Sequence, residues 1–272
     1  MPAVTMEFAG MTSQNGFFIN QMCDGSNGSP SQGIMGMGPL DLSDIGNSAS
    51  DAYFTELVAQ AGIPSVFTVQ LCSSGGNMWF GGYDPGYATG APQYTPMVTS
   101  GTAAQYYSVD ITSATLGSTS LGTWGDAVVD TGTWGLLMPS AAYNTFTTSI
   151  DGNAGATSIF GSGKLSASFW SNGDCISPTN TSTTRADIDA ALPTLDITLP
   201  AVGGGSFTLN LPATGSYLVM QGTGSSAQYC AGVSTDQGIG FIIFGAAAQE
   251  SLVTIFDTGN KRIGFMTGSS CE

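Results

Sequence analysis

Apolar and polar residues alternate with a period of two in short runs along most of the chain. The runs are VFTVQL (66–71), NMWFGG (77–82), YYSVDIT (106–112), DAVVDTG (126–132), LDITLP (195–200), SFTLNL (206–211), YLVM (217–220), FIIFG (241–245) and VTIFD (253–257). Successive side chains of a strand point to opposite faces, so each run predicts a strand with one face turned to a core. Helical spacing is confined to short pieces, chiefly two. One is SDAYFTELVAQAG (50–62), which stops at a glycine before Pro64; the other is PSAAYNTFTTSI (139–150), which opens with Pro139. The Ser/Thr/Gly-rich stretches at 99–104, 151–163 and 177–184 predict loops, the first of them a junction between lobes. The pattern predicts an all-β protein with few short helices.

Composition sharpens this picture. A chain of 272 residues with 39 glycines and 8% charged residues suits many short strands joined by tight turns. Four basic against 19 acidic residues give a net charge of −15, which repels nucleic acid and anionic membrane surfaces. With so few bases, the chain builds little positive charge when its carboxylates protonate, which suits an acidic compartment. There is no histidine, so Ser-His-Asp and Cys-His catalysis and imidazole metal sites are excluded. Carboxylates are left as the leading acid–base groups. The five cysteines, Cys23, Cys72, Cys175, Cys230 and Cys271, contain no C-x-x-C pair and favour disulfides over metal or redox motifs. No metal and no cofactor are expected. Asn27-Gly28-Ser29 and Asn180-Thr181-Ser182 are glycosylation acceptor triplets, which fit a secreted protein. No apolar run reaches the ~18 residues of a membrane span. The start, MPAVTMEFAG, lacks the layout of a signal peptide, leaving either a removed signal or an incomplete N-terminus.

The segment that carries chemistry is Ala127-Val128-Val129-Asp130-Thr131-Gly132-Thr133-Trp134. An apolar strand delivers one carboxylate into a Gly-containing turn flanked by hydroxyls. There the Gly132 amide and the Thr133 hydroxyl can donate to the carboxylate and orient it, while a neighbouring acid shares its proton. Such a pair polarises a water for attack on an amide. Taken alone, D-T-G is equally compatible with an ordinary strand-to-turn aspartate. Trp134 and Met138 read as core rather than as substrate-contacting residues, and Asp126 and Asp110 read as solvated acids.

The run VVDTGTWGLLMPSAAYNTF resembles the second catalytic motif of pepsin-like aspartic proteases (family A1), and FIIFGAAAQESLVTIFDTGNKRIGFM resembles their C-terminal signature. QGIMGMGPLDLS (32–43) is similar to the family's D-G-I-L-G-L-G segment, with Gln32 at the Asp position, and VFTVQL and WFGGYDPGYATG follow in order. The resemblance implies a bilobal fold with a complete C-terminal lobe (99–272) and an incomplete N-terminal lobe with interdomain strands (1–98). It implies Asp130 as the catalytic acid, supported by Thr131, Gly132 and Thr133, and Ile243-Phe244-Gly245 as the strand of the psi-loop that crosses the catalytic loop. It also implies disulfides Cys175–Cys230 and Cys72–Cys271. Cys23 is then left either for a partner in a missing segment or as a free buried thiol. The family's first D-T-G motif and its flap tyrosine match nothing in the chain. Ile34-Met35-Gly36 would demand a D-T-G well before residue 1, so the chain reads as N-terminally truncated. A second triplet, Asp257-Thr258-Gly259, reads instead as the turn of a terminal hairpin, with Gly259-Asn260 supplying positive φ.

The function this implies is an endopeptidase acting on protein or peptide substrates, monomeric in its full form, and secreted or held in an acidic vacuolar or lysosomal compartment. Two alternatives stand beside it. Two copies could pair so that Asp130 faces its symmetry mate, or the chain could be a catalytically incomplete binding or inhibitory protein on the same fold.

Overall fold

The structure is a computed structural model that describes residues 36–39, 42, 53–72, 75–222, 224–236 and 238–269. The chain divides into two compact units, Met1–Ile63 and Pro64–Glu272. In the first, the described residues include the helix Tyr53–Ala61, which buries Phe54 and Leu57. Gly62 ends it at φ 62°, donating its N–H to the Val58 carbonyl. That left-handed stop is where a glycine costs least.

The second unit is built from four sheets. One runs in the order Gly75–Phe80, Val66–Cys72, Leu252–Asp257, Arg262–Gly268, Ala88–Pro96, all antiparallel. The strands Val66–Cys72 and Ala88–Pro96, within the stretch 1–98 read from the sequence as lobe remnant and interdomain strands, each pair with one strand of the terminal hairpin. Val253, Ile255 and Met266 form its buried cluster, with Val66, Ala88 and Tyr94 packed on it. The strand Ala88–Pro96 escapes a pattern reading because it carries Gly90, Pro92 and Pro96. It lies at the sheet edge, where a missing N–H breaks no ladder.

A second sheet runs Ser206–Leu211, Leu195–Pro200, Ser113–Leu116, Thr119–Gly122. Its two longest strands alternate strictly, with Leu195, Ile197, Leu199, Phe207, Leu209 and Leu211 turned inward. Each such side chain contributes about 1.5–3 kcal/mol when fully buried. A third sheet joins Leu218–Gln221, Gln228–Ala231 and Cys175–Ile176. Cys230 and Cys175 are direct cross-strand partners in it and form the expected disulfide. Cys72 is also disulfide-bonded; Cys271 and Cys23 lie outside the described residues, as do Gln32 and Ile34-Met35.

The fourth sheet runs Val233–Thr235, Leu136–Met138, Ile242–Gly245, Gly125–Asp130, Ser108–Ile111. Packed around these sheets is the helix Ser140–Asp151, with Pro139 at its N-cap as expected. Its Phe146 meets Trp170 and Tyr217 edge-on at 5.0 and 5.2 Å between ring centres.

One correction concerns local structure. The stretch 151–163 is not a loop, because it holds the helix Ala154–Phe160, capped by the Asn153 side chain accepting from the Ala156 N–H. Buried Ala156 and Phe160, four residues apart, give that short helix its inward face. Further short helices cover Ala167–Asn172 and Arg185–Ala191, the latter opened by a Thr184–Asp187 capping box. No helix among the described residues is long and apolar enough to cross a membrane.

Candidate active site

Asp130 is the last residue of the strand Gly125–Asp130, whose Ala127, Val128 and Val129 are buried while Asp130 itself is half-buried. The apolar run fixes the strand in the core and brings the carboxylate out at its end. The Gly132 N–H donates to Oδ1 at 2.8 Å and the Thr133 hydroxyl to Oδ2 at 2.6 Å. Each carboxylate oxygen thus accepts one bond from the loop that follows it, which fixes the plane of the group. Hydrogen bonds to an ionised acceptor are the strong ones, contributing about 1.5–3 kcal/mol each. Thr131 and Gly132 are exposed at the tip of the turn.

Ile242–Gly245 lies between the two limbs of this loop. It pairs in parallel with Gly125–Asp130, placing Gly245 opposite Asp130, and antiparallel with Leu136–Met138 through Ile243 and Leu137. The crossing is tight, since a Cβ on Gly245 would land on the carbonyl oxygens of Thr133 and Gly135. The backbone of Gly245 is ordinary at φ −81°, so close approach alone requires glycine here.

The next helix, Ala246–Gln249, secures the loop from below. Its first free amides, of Ala246 and Ala247, donate to the carbonyls of Thr133 and Trp134 at 2.8 and 2.9 Å. Helix N-termini always present such unpaired donors; here the loop after Asp130 absorbs them. Buried Gln249 reaches back to the Phe244 carbonyl at 2.9 Å. Pattern reading did not single out Ala246, Ala247 or Gln249. The available signal was a helix-forming AAAQ run placed directly after the glycine that ends the crossing strand.

The other residues weighed from the sequence are dispersed. Met138 is fully buried, as a core residue should be, but Trp134 is 47% exposed and is no core residue. It sits in the irregular turn between the two strands. Asp110 and Asp126 are half-buried and face each other across paired strands.

Asp257, of the second D-T-G, is 3% exposed and structural. Its carboxylate takes the Arg262 Nε at 2.7 Å and the Asn260 side chain at 2.9 Å. Thr258 is held by Ser65, its hydroxyl donating to the Ser65 carbonyl at 2.9 Å. This triplet forms the hairpin turn, but the positive φ falls on Lys261 (φ 51°), not on Gly259-Asn260. The reason is that Thr258–Asn260 forms a 3-10 turn with helical φ, so the left-handed residue comes at its C-cap.

A cavity of about 650 Å³ is lined by Arg185, Asp189, Thr214 and Glu250 among others; Asp130 is not in its lining. Among the described residues, no group of three or more Cys, Asp or Glu gathers as metal ligands.

The sequence is similar to several known proteases. It is 26% identical over 267 residues to an aspartic protease of Phaffia rhodozyma, covering 97% of this chain and 56% of that protein. A β-secretase of Strongylocentrotus purpuratus is 25% identical over 295 residues, with 97% and 52% covered. Polyporopepsin of Irpex lacteus is 28% identical over 256 residues, with 87% and 68% covered. The chain therefore spans about half the length of the first two relatives. The eukaryotic aspartyl protease family matches residues 4–267, and with the strand-end aspartate, its hydroxyl and amide donors and the crossing strand in place, the chain belongs to that family.

Proposed function

We propose that the chain is the Asp130-bearing part of a pepsin-like aspartic endopeptidase, which hydrolyses peptide bonds through a water held between two carboxylates. The observation that carries this reading is the Asp130 carboxylate itself, half-exposed at a strand end with one donor on each oxygen. In the reaction one carboxylate takes a proton from the water as its oxygen attacks the peptide carbonyl carbon. The other acid, protonated, gives its proton to the carbonyl oxygen. When the tetrahedral intermediate collapses the roles exchange, and the leaving amine nitrogen is protonated.

The second acid is assigned to a first D-T-G motif that these 272 residues do not contain, with the lobe boundary at 98/99. Thr131, Gly132 and Thr133 support Asp130, and Ile243, Phe244 and Gly245 hold the loop. The substrates are proteins or peptides, the full form acts as a monomer without a cofactor, and the compartment is secretory, vacuolar or otherwise acidic. The Cys175–Cys230 disulfide supports an oxidising route.

The reading is tested with the product of the parent transcript. It should cleave peptides at acidic pH with pepstatin sensitivity, and an authentic transcript that encodes no upstream D-T-G would overturn the assignment. One observation favours a non-catalytic binding protein instead: among the described residues no second carboxylate hydrogen-bonds Asp130. That reading predicts that Asp130→Asn alters neither proteolysis nor pepstatin binding.

A further inference from the structure

We propose that Asn180 is an N-glycosylation site, carrying a saccharide on its side-chain nitrogen; this rests on the reading of the chain as secreted. Asn180-Thr181-Ser182 is an acceptor triplet, but such triplets arise by chance in Ser/Thr-rich sequences. The structure supplies what the triplet alone does not.

Thr179, Asn180, Thr181 and Ser182 are all exposed, on the connection between the strand Cys175–Ile176 and the helix Arg185–Ala191. Both ends of the connection are anchored. Thr179 donates its N–H and its hydroxyl to the Ile159 carbonyl, each at 2.9 Å, and Thr184 opens the helix through its capping box. A bulky saccharide here projects into solvent from a turn that the fold already holds.

Within the triplet, Asn180 Oδ1 accepts the Ser182 N–H at 3.0 Å and the Ser182 hydroxyl at 2.8 Å. The Asn180 carbonyl accepts the Thr183 N–H at 3.1 Å, closing the turn. The amide orientation follows from chemistry, since a backbone N–H only donates and the atom facing it must be the oxygen. Nδ2 is thereby left out of these bonds, on an exposed side chain. An amide nitrogen is a poor nucleophile because its lone pair is shared with the carbonyl. Two donors on Oδ1 stabilise the negative charge that develops on oxygen as Nδ2 gives up a proton, which favours the attacking form. All three bonds span two or three residues, so a nascent chain can make them before the lobe has folded.

The co-substrate is an oligosaccharide linked through its anomeric carbon to a polyisoprenyl diphosphate, presented by a membrane-bound oligosaccharyl transferase. A bond forms between Nδ2 and the anomeric carbon, and the bond from that carbon to the diphosphate oxygen breaks. The lipid diphosphate leaves with the electron pair, and the amide proton passes to a base of the transferase. Nothing is oxidised or reduced.

The test directs the whole chain into the lumen of a yeast secretory pathway with a heterologous leader, in an Asn27→Gln background that leaves Asn180 as the one acceptor triplet. Oxidation of Cys175 to Cys230 certifies luminal entry independently of the native compartment, and the luminal pool is sampled whether or not the chain is released. The expected result is a band shift by one glycan that peptide-N-glycosidase removes, converting Asn180 to Asp in the tryptic peptide 165–185. The shift should be lost completely with Asn180→Gln, lost in most molecules with Ser182→Ala, and retained with Ser182→Thr. Luminal, disulfide-bonded chain whose peptide 165–185 is unmodified would overturn the proposal.

Discussion

At the scale of single residues, two D-T-G triplets in one chain have opposite fates, and their surroundings explain why. Asp130 ends its strand half-exposed with two donors from its own loop. Asp257 is buried against Arg262, whose guanidinium also lies 3.9 Å from the Tyr94 ring centre. Arg262→Ala should therefore cost stability, by about 3 kcal/mol in denaturant unfolding, because it strands a buried carboxylate. The same substitution should leave peptide cleavage by the full protein nearly unchanged. Asp130→Asn should do the reverse, lowering kcat/KM about 10²- to 10⁴-fold, the usual contribution of one acid–base group, with little effect on unfolding. The contrast was legible in the sequence, since Asp130 is followed by an apolar stretch, Pro139 and a helix, whereas Asp257 leads into a hairpin turn. The exposure of Trp134 was not legible, because a large apolar residue beside a strand has the same pattern whether it faces a core or solvent. That Lys261 and not Gly259 takes the positive φ was hidden for a similar reason: a four-residue turn can place its left-handed residue at more than one position.

At the scale of elements, the site depends on contacts between segments far apart in the chain. Gly245 passes so close to Thr133 and Gly135 that one added methyl cannot fit without backbone movement. Gly245→Ala should destabilise the protein by about 1–3 kcal/mol in denaturant unfolding and lower activity in the full form, by shifting the Asp130 loop. The strands flanking the site were foreseeable from their period-two runs, and the residues from 195 to 211 match expectation to the residue. Leu136–Met138, Cys175–Ile176 and Val233–Thr235 were not, since two or three residues are too few to show a period. The short helix Ala154–Phe160 was hidden by its Gly, Ala, Thr and Ser content, and only its Asn153 cap and Phe160 mark it. The cross-strand disulfide closes a loop of 55 residues. Replacing both Cys175 and Cys230 by alanine should cost about 4 kcal/mol on chain-entropy grounds, read from the midpoint of urea unfolding.

At the scale of the whole molecule, a net charge of −15 with four bases means that acidification relieves repulsion instead of creating it. One partly buried group adds to this bias. Burial pushes the Glu250 carboxyl up, with the Arg185 guanidinium opposing. A folded-state value above the unfolded one means that the fold favours the protonated acid. Its contribution is fully present below about pH 4.5 and is lost as pH rises through the raised value. Glu250→Gln should accordingly raise Tm at neutral pH and leave it nearly unchanged in strong acid, measured by thermal unfolding at the two pH values. The aromatic cluster of Tyr107 with Phe67 and Phe256 limits the alkaline side. Burial pushes the Tyr107 hydroxyl up to about 12, so its contribution holds below pH 10 and is lost toward 12. The central claim at this scale is that the chain contributes one acid, Asp130, to a catalytic pair. The most direct measurement is pepstatin-sensitive peptide cleavage at acidic pH, comparing the purified monomeric chain with the parent transcript's product and its Asp130→Asn variant. The predicted result is cleavage by the transcript product and not by the chain, lowered about 10²- to 10⁴-fold in the variant; robust pepstatin-sensitive cleavage by the 272-residue monomer would contradict the account.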